Sequence, residues 1–166
     1  MSQFPVSVTD DGPMVTASLR LPGTSPERAL SAFTDPATLA RWWGGELAST
    51  LEPGTPYTVT FTQLGRAITG EVVAYDPASH LEYTWQWDHE PEAVRRTVAV
   101  TVTPRDAGTT VTIAHGPHAD AGPGPSEAEA AARTEHREGW EFFLPRLASV
   151  ILKSEPGARP PEVPSA

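Results

Sequence analysis

Four bulky residues at alternate positions, Leu81, Tyr83, Trp85 and Trp87, constrain most strongly what this chain folds into. Successive side chains of a strand leave opposite faces, so all four share one side. A face this large and aromatic has to be covered, which places the strand in a sheet with one buried side. The neighbouring segments carry the same period of two. Val15, Ala17 and Leu19 alternate within Met14 to Leu21, and Tyr57, Val59 and Phe61 alternate with threonines. Ala67 to Tyr75 runs back after the turn Leu64-Gly65-Arg66, Val98, Val100 and Val102 alternate next, and Val111, Ile113 and His115 follow Asp106-Ala107-Gly108. With a short strand over Glu46 to Leu51 the count is seven. Turn signals such as Asp76-Pro77-Ala78-Ser79 imply successive hairpins and an antiparallel meander.

The period changes to that of a helix in three places. Thr24-Ser25-Pro26-Glu27 opens a short helix with Ala29, Leu30 and Phe33 on its apolar side. Thr34-Asp35-Pro36 repeats the signal and opens a second, which carries Leu39, Trp42 and Trp43 until Gly44-Gly45 stops it. After a loop from Gly116 to Pro125 rich in glycine and proline, read as a flexible flap, Ser126 caps a helix running to about Lys153. That helix is roughly 40 Å long at 1.5 Å per residue, and His136, Trp140, Phe143, Leu144, Leu147, Val150 and Ile151 form its apolar stripe. Pro145 lies within the stripe, where a kink is expected because it cannot donate to the Glu141 carbonyl. Residues 1–13 show no lasting periodicity and residues 154–166 hold five prolines, so the expected division is a flexible amino-terminal segment, one domain over 14–153 and a disordered tail.

Helices at separate points along an antiparallel sheet define the α+β class. One amphipathic helix about 10 Å wide does not fill the concave face of a twisted seven-stranded sheet. Trp85, Trp87, Tyr83, Tyr57 and Phe61 share that inner face, and Trp42 and Trp43 arrive from the small helices. Read as the wall of a hollow with Trp140 and Phe143 of the long helix, these rings form an apolar ligand pocket; read as core filling, they leave none.

Charge and composition exclude several function classes. The net charge of −9, with twelve scattered Lys and Arg, lacks the footprint of a nucleic-acid binder. No apolar run is long enough to span a membrane and the start lacks a signal peptide, so a cytoplasmic protein is expected. With no cysteine there is no disulfide and no thiolate chemistry. His115, at the inward end of the last strand, is the candidate acid or base, but no orienting partner is identifiable. His115, His118, His136 and Glu138 do not follow the His-Glu-x-x-His pattern, so neither metal nor other cofactor is expected. Glu71 and Glu82 sit on neighbouring strands and are read as solvated. Arg95 and Arg96 are read either as an exposed strand end or as rim guanidiniums able to hold a carboxylate.

Several segments carry a resemblance: Phe33-Thr34-Asp35-Pro36 with Trp42-Trp43-Gly44, Gly70-Glu71-Val72, Leu81-Glu82-Tyr83-Thr84-Trp85, Val111 to His115, and His136-Arg137-Glu138-Gly139-Trp140. In this order, over about residues 14 to 152, they resemble the SRPBCC (START-like) superfamily, most of all bacterial relatives of the carboxy-terminal domain of the heat-shock-protein-90 ATPase activator. The resemblance implies the helix-grip fold and a cavity between sheet and long helix. It implies less about activity, because the superfamily spans lipid and hormone carriers, polyketide cyclases and aromatases, and chaperone cofactors. Eukaryotic-type activators carry a further amino-terminal domain for which this chain has no room. The expectation is therefore a small hydrophobic or aromatic ligand held without catalysis. A cyclase- or lyase-like enzyme using His115, and a chaperone cofactor with a protein partner or a homodimer, are the alternatives.

Overall fold

A computed structural model gives the fold of residues 6–9, 14–49, 52–88, 95–117 and 127–153. In chain order the elements are β1 (Val6–Thr9), β2 (Val15–Pro22), α1 (Pro26–Thr34), α2 (Pro36–Trp43), β3 (Glu46–Ser49), β4 (Pro56–Phe61), β5 (Arg66–Asp76), β6 (His80–Trp87), β7 (Arg96–Arg105), β8 (Gly108–Gly116) and α3 (Glu127–Lys153). The strands form one curved antiparallel sheet in the order β1-β2-β8-β7-β6-β5-β4-β3, and α3 lies across it as the helix-grip fold requires. The sheet has eight strands and not seven. The additional one is β1, in the segment expected to be irregular, where Val6 pairs with Leu19 and Thr9 with Thr16. Its Val6 and Val8 are half-buried against the core, and α3 packs on the strand. Ser126, the flap residues 118–125, the tail 154–166 and residues 89–94 lie outside the described residues.

The two short helices are joined by a chain of caps. Ser25 Oγ accepts the Arg28 N–H at 3.1 Å and Pro26 occupies the first turn of α1. Asp35 ends α1 and begins α2, its carboxylate accepting the Thr38 N–H at 3.1 Å and the Thr38 hydroxyl at 2.6 Å. Gly44, at φ 85°, closes α2 in the left-handed conformation that costs glycine no Cβ clash. The Ala32 carbonyl would ordinarily receive the N–H four residues on, but that residue is Pro36. The indole N–H of Trp42 donates to it instead, at 2.7 Å.

The inner face of the sheet is built on the alternation seen in the sequence. Val98, Val100 and Val102 of β7 and Val111, Ile113 and His115 of β8 are buried, with Leu81, Tyr83 and Trp85 of β6 beside them. Arg96 belongs to the same inward series and is only 1% exposed, whereas Arg95 is exposed. The pair is therefore not a solvent-facing strand end, because consecutive residues of a strand go to opposite sides. Tyr57 lies opposite Gly70, where a Cβ would come 2.1 Å from the Thr84 carbonyl oxygen and 2.6 Å from the tyrosine ring. Only glycine admits that crossing, and the Tyr57 hydroxyl reaches over it to donate to Thr84 O at 2.5 Å. Glu71 is exposed on the outer side, and Glu82 meets His80 Nε2 at 3.2 Å.

Helix α3 buries Ala132, His136, Trp140, Leu144, Leu147, Ala148 and Ile151, a stripe with helical spacing, and it is continuous through Pro145. It packs against β1, β2, α1 and α2. Among the described residues, no helix is long and apolar enough to cross a membrane.

Candidate functional site

Aromatic rings meet where α2, β6 and α3 converge. Trp43 stacks on Trp42 at 5.3 Å and on Trp85 at 5.5 Å, and its centroid is 6.2 Å from that of Trp140. These contacts divide the single hollow expected from the sequence into separate spaces. On the inner side is a void of about 20 Å³ against Phe33, Leu39, Tyr57 and Tyr83, no larger than a water site needs. Toward the amino-terminal half of α3 is a recess of about 230 Å³ bordered by Trp85, Trp87, His115, His136, Gly139 and Trp140, with Trp43 and Phe143 at its sides and exposed Arg66 and Glu135 at its rim. Along α2 and β4 a groove of about 550 Å³ runs past Phe61, Leu64, Trp87, Phe142 and Phe143. Trp43 borders all three.

The polar floor of the recess is a pair of histidines. His115, fully buried at the end of β8, stacks on His136 of α3 with ring centroids 4.1 Å apart. The Trp140 indole N–H donates to His115 Nδ1 at 3.1 Å. An imidazole nitrogen that accepts carries no proton, so His115 is neutral with its hydrogen on Nε2. Trp85 covers both rings, at 4.7 Å from His115 and 5.9 Å from His136. Because the lone pair of Nδ1 is engaged, His115 offers its surroundings a donor and not a base.

Not all of the expected residues reach this recess. Trp43, Trp85, Trp87, His115, Trp140 and Phe143 border it, Phe61 borders the groove, and Tyr57 and Tyr83 border the small void. Trp42 borders none of them. Its ring is 0% exposed, with Trp43 on one face and Phe33 edge-on at 5.3 Å, so it supports the wall from behind. Arg66, Glu135 and Gly139 are added by the structure. Gly139 carries a readable signal, since a lone glycine inside an otherwise helical run costs about 1 kcal/mol relative to alanine. Arg66 and Glu135 carry none. Among the described residues no three His, Asp or Glu side chains gather as metal ligands, and His118 lies outside them.

Burial holds the Tyr83 hydroxyl well above the usual phenol range. Burial, and next to it the neighbouring Tyr83, does the same for Tyr57.

Residues 23–151 match the family described as activator of Hsp90 ATPase homolog 1-like protein. The chain belongs to that family. As an activator-homologue domain it lies in the SRPBCC superfamily, as its motifs implied. No protein with a curated description matches it. Solved structures similar to the domain include DynU16, from the dynemicin biosynthetic locus, with 24% identity over 90% of this chain and 51% of that one and a TM-score of 0.71. Protein MLL2253 from Mesorhizobium loti is 24% identical over 86% of this chain and 98% of its own, with a TM-score of 0.67. CalU16 from Micromonospora echinospora is 20% identical over 90% and 85%, with a TM-score of 0.63. The domain spans about half the length of DynU16, and at these identities the likeness is one of fold.

Proposed function

We propose that the domain binds a small apolar or aromatic molecule in the recess between β6, β8, α2 and α3, without transforming it. The observation that carries this reading is an aromatic-walled space of about 230 Å³ beside Gly139. A cavity of about 150 Å³ lined by apolar side chains accepts benzene, so this one has room for one to two rings. The reading is tested at Gly139, where a Cβ would meet no atom within 4 Å. Gly139→Leu is expected to raise the melting temperature through helix propensity while filling the recess. In wild type, a hydrophobic ligand library should yield compounds that quench tryptophan fluorescence and raise the melting temperature. The same compounds should lose at least tenfold in affinity in Gly139→Leu; unchanged affinity would remove the recess as the binding site.

A second reading is favoured by the groove. Phe142 is 59% and Leu64 61% exposed, which is costly for large apolar side chains unless a partner covers them. A protein-interaction role of chaperone-cofactor type would follow, and copurification with a large ATPase, lost in Phe142→Glu, would favour it over ligand binding. The enzymatic reading has less support, because His115 as a base would first have to surrender its bond from Trp140.

A further inference from the structure

Two of the three indoles nearest the recess have their N–H groups accounted for. Trp42 donates to Ala32 O at 2.7 Å and Trp140 to His115 Nδ1 at 3.1 Å. Trp85 does not. It is 4% exposed, it borders the recess, and its Nε1 is buried with no hydrogen-bond acceptor. Indole N–H is a donor only, and leaving one unsatisfied in the interior costs about 1–3 kcal/mol, so such groups are rare in folded proteins. A phenylalanine would fill most of the same apolar space without that cost. The position of Trp85 among Trp43, His115 and His136 puts the donor at the floor of the one recess walled by both sheet and long helix.

We infer that the recess selects uncharged aromatic guests bearing a hydrogen-bond acceptor, such as a ring ketone or a pyridine-type nitrogen, and that Trp85 Nε1 is the selecting donor. This rests on the ligand-binding reading above and narrows it to a chemical class. An uncharged guest fits because the rim carries one charge of each sign, Arg66 and Glu135, so neither sign of ligand is favoured overall. An acceptor-bearing guest also fits the tautomer of His115, whose Nδ1 is engaged by Trp140 and whose other nitrogen carries hydrogen.

The test uses two probes of nearly equal shape, 1-tetralone, with a ring carbonyl, and tetralin, without one. Binding of each to the full chain is measured by calorimetry, together with the indole Nε1–H resonances in nitrogen-15 spectra. The expected result is that Trp85→Phe lowers the affinity for 1-tetralone about tenfold more than that for tetralin. In wild type, 1-tetralone should move the Trp85 indole proton downfield and tetralin should not, a readout that does not depend on the variant folding. If both probes bind, lose affinity equally in Trp85→Phe and leave the Trp85 resonance alike, the acceptor preference is wrong and the binding reading survives. If neither probe binds up to its solubility limit, both fail.

Discussion

The Ala32 carbonyl lies where a helix has run out of donors, because the residue four positions on is a proline. Trp42 repairs the defect with its indole N–H while its ring backs Trp43, so one side chain serves both a helix end and the aromatic wall. Trp42→Phe keeps an aromatic ring but strands a buried acceptor and opens space, so it is expected to cost about 3 kcal/mol by urea denaturation. Ligands of the recess should keep their affinity within about threefold, since Trp42 does not border it. At this scale the sequence was only partly legible. Trp42 and Trp43 are adjacent on one short helix and both belong to its apolar side; which of them faces open space depends on how the helix rests on β6, and that information is tertiary. Arg96 is the opposite case, since its alternation with Val98 and Val100 already pointed it inward, and only the paired-arginine reading concealed it.

Among the elements, the hairpin joining β7 to β8 carries the most visible local strain. Arg105 pairs with Gly108, and the two residues between them, Asp106 and Ala107, have φ of 47° and 59°. Two consecutive left-handed residues make the tight turn that suits the twist of adjoining strands, but alanine is an unfavourable occupant of the second position. The turn is held by Arg20, whose guanidinium donates to the Arg105 and Asp106 carbonyls at 3.1 and 2.9 Å, and by the Gly23 N–H on Ala107 O at 2.9 Å. Ala107→Gly should therefore stabilise the domain by about 0.5–1 kcal/mol, seen as a higher urea midpoint with an unchanged slope. Elements of this kind were the most legible part of the chain. Period-two runs between turn residues located seven strands, and cap-and-proline signals located both short helices. Strand β1 escaped because four residues with two half-buried valines make too short a pattern to stand out from an irregular terminus. The long helix was legible from its apolar stripe, whereas the histidine stack was not, since His115 and His136 come from elements 21 residues apart in sequence and meet only after packing.

For the molecule as a whole, the buried tyrosines set the alkaline limit of stability. Burial raises the hydroxyls of both Tyr57 and Tyr83 above their unfolded value near 10. Below that pH both states hold these protons and stability does not depend on them. Above it the unfolded chain releases protons that the native state retains, so stability falls as pH rises, by up to about 1.4 kcal/mol per pH unit for each tyrosine. Urea midpoints measured from pH 8 to 11 should be level below about pH 10 and decline beyond it, and Tyr57→Phe should reduce the slope of the decline.

The indole of Trp43 is a party wall. The inner void, the recess and the groove all have it as a boundary, so its rotation would enlarge one compartment at the expense of another while the sheet stays still. Capacity in this domain thus depends on the rotamer of one side chain more than on the curvature of eight strands. Trp43→Ala, by removing the partition, should merge neighbouring compartments and shift the preferred guest toward larger ring systems, a change that competition between mono-, bi- and tricyclic ligands would register.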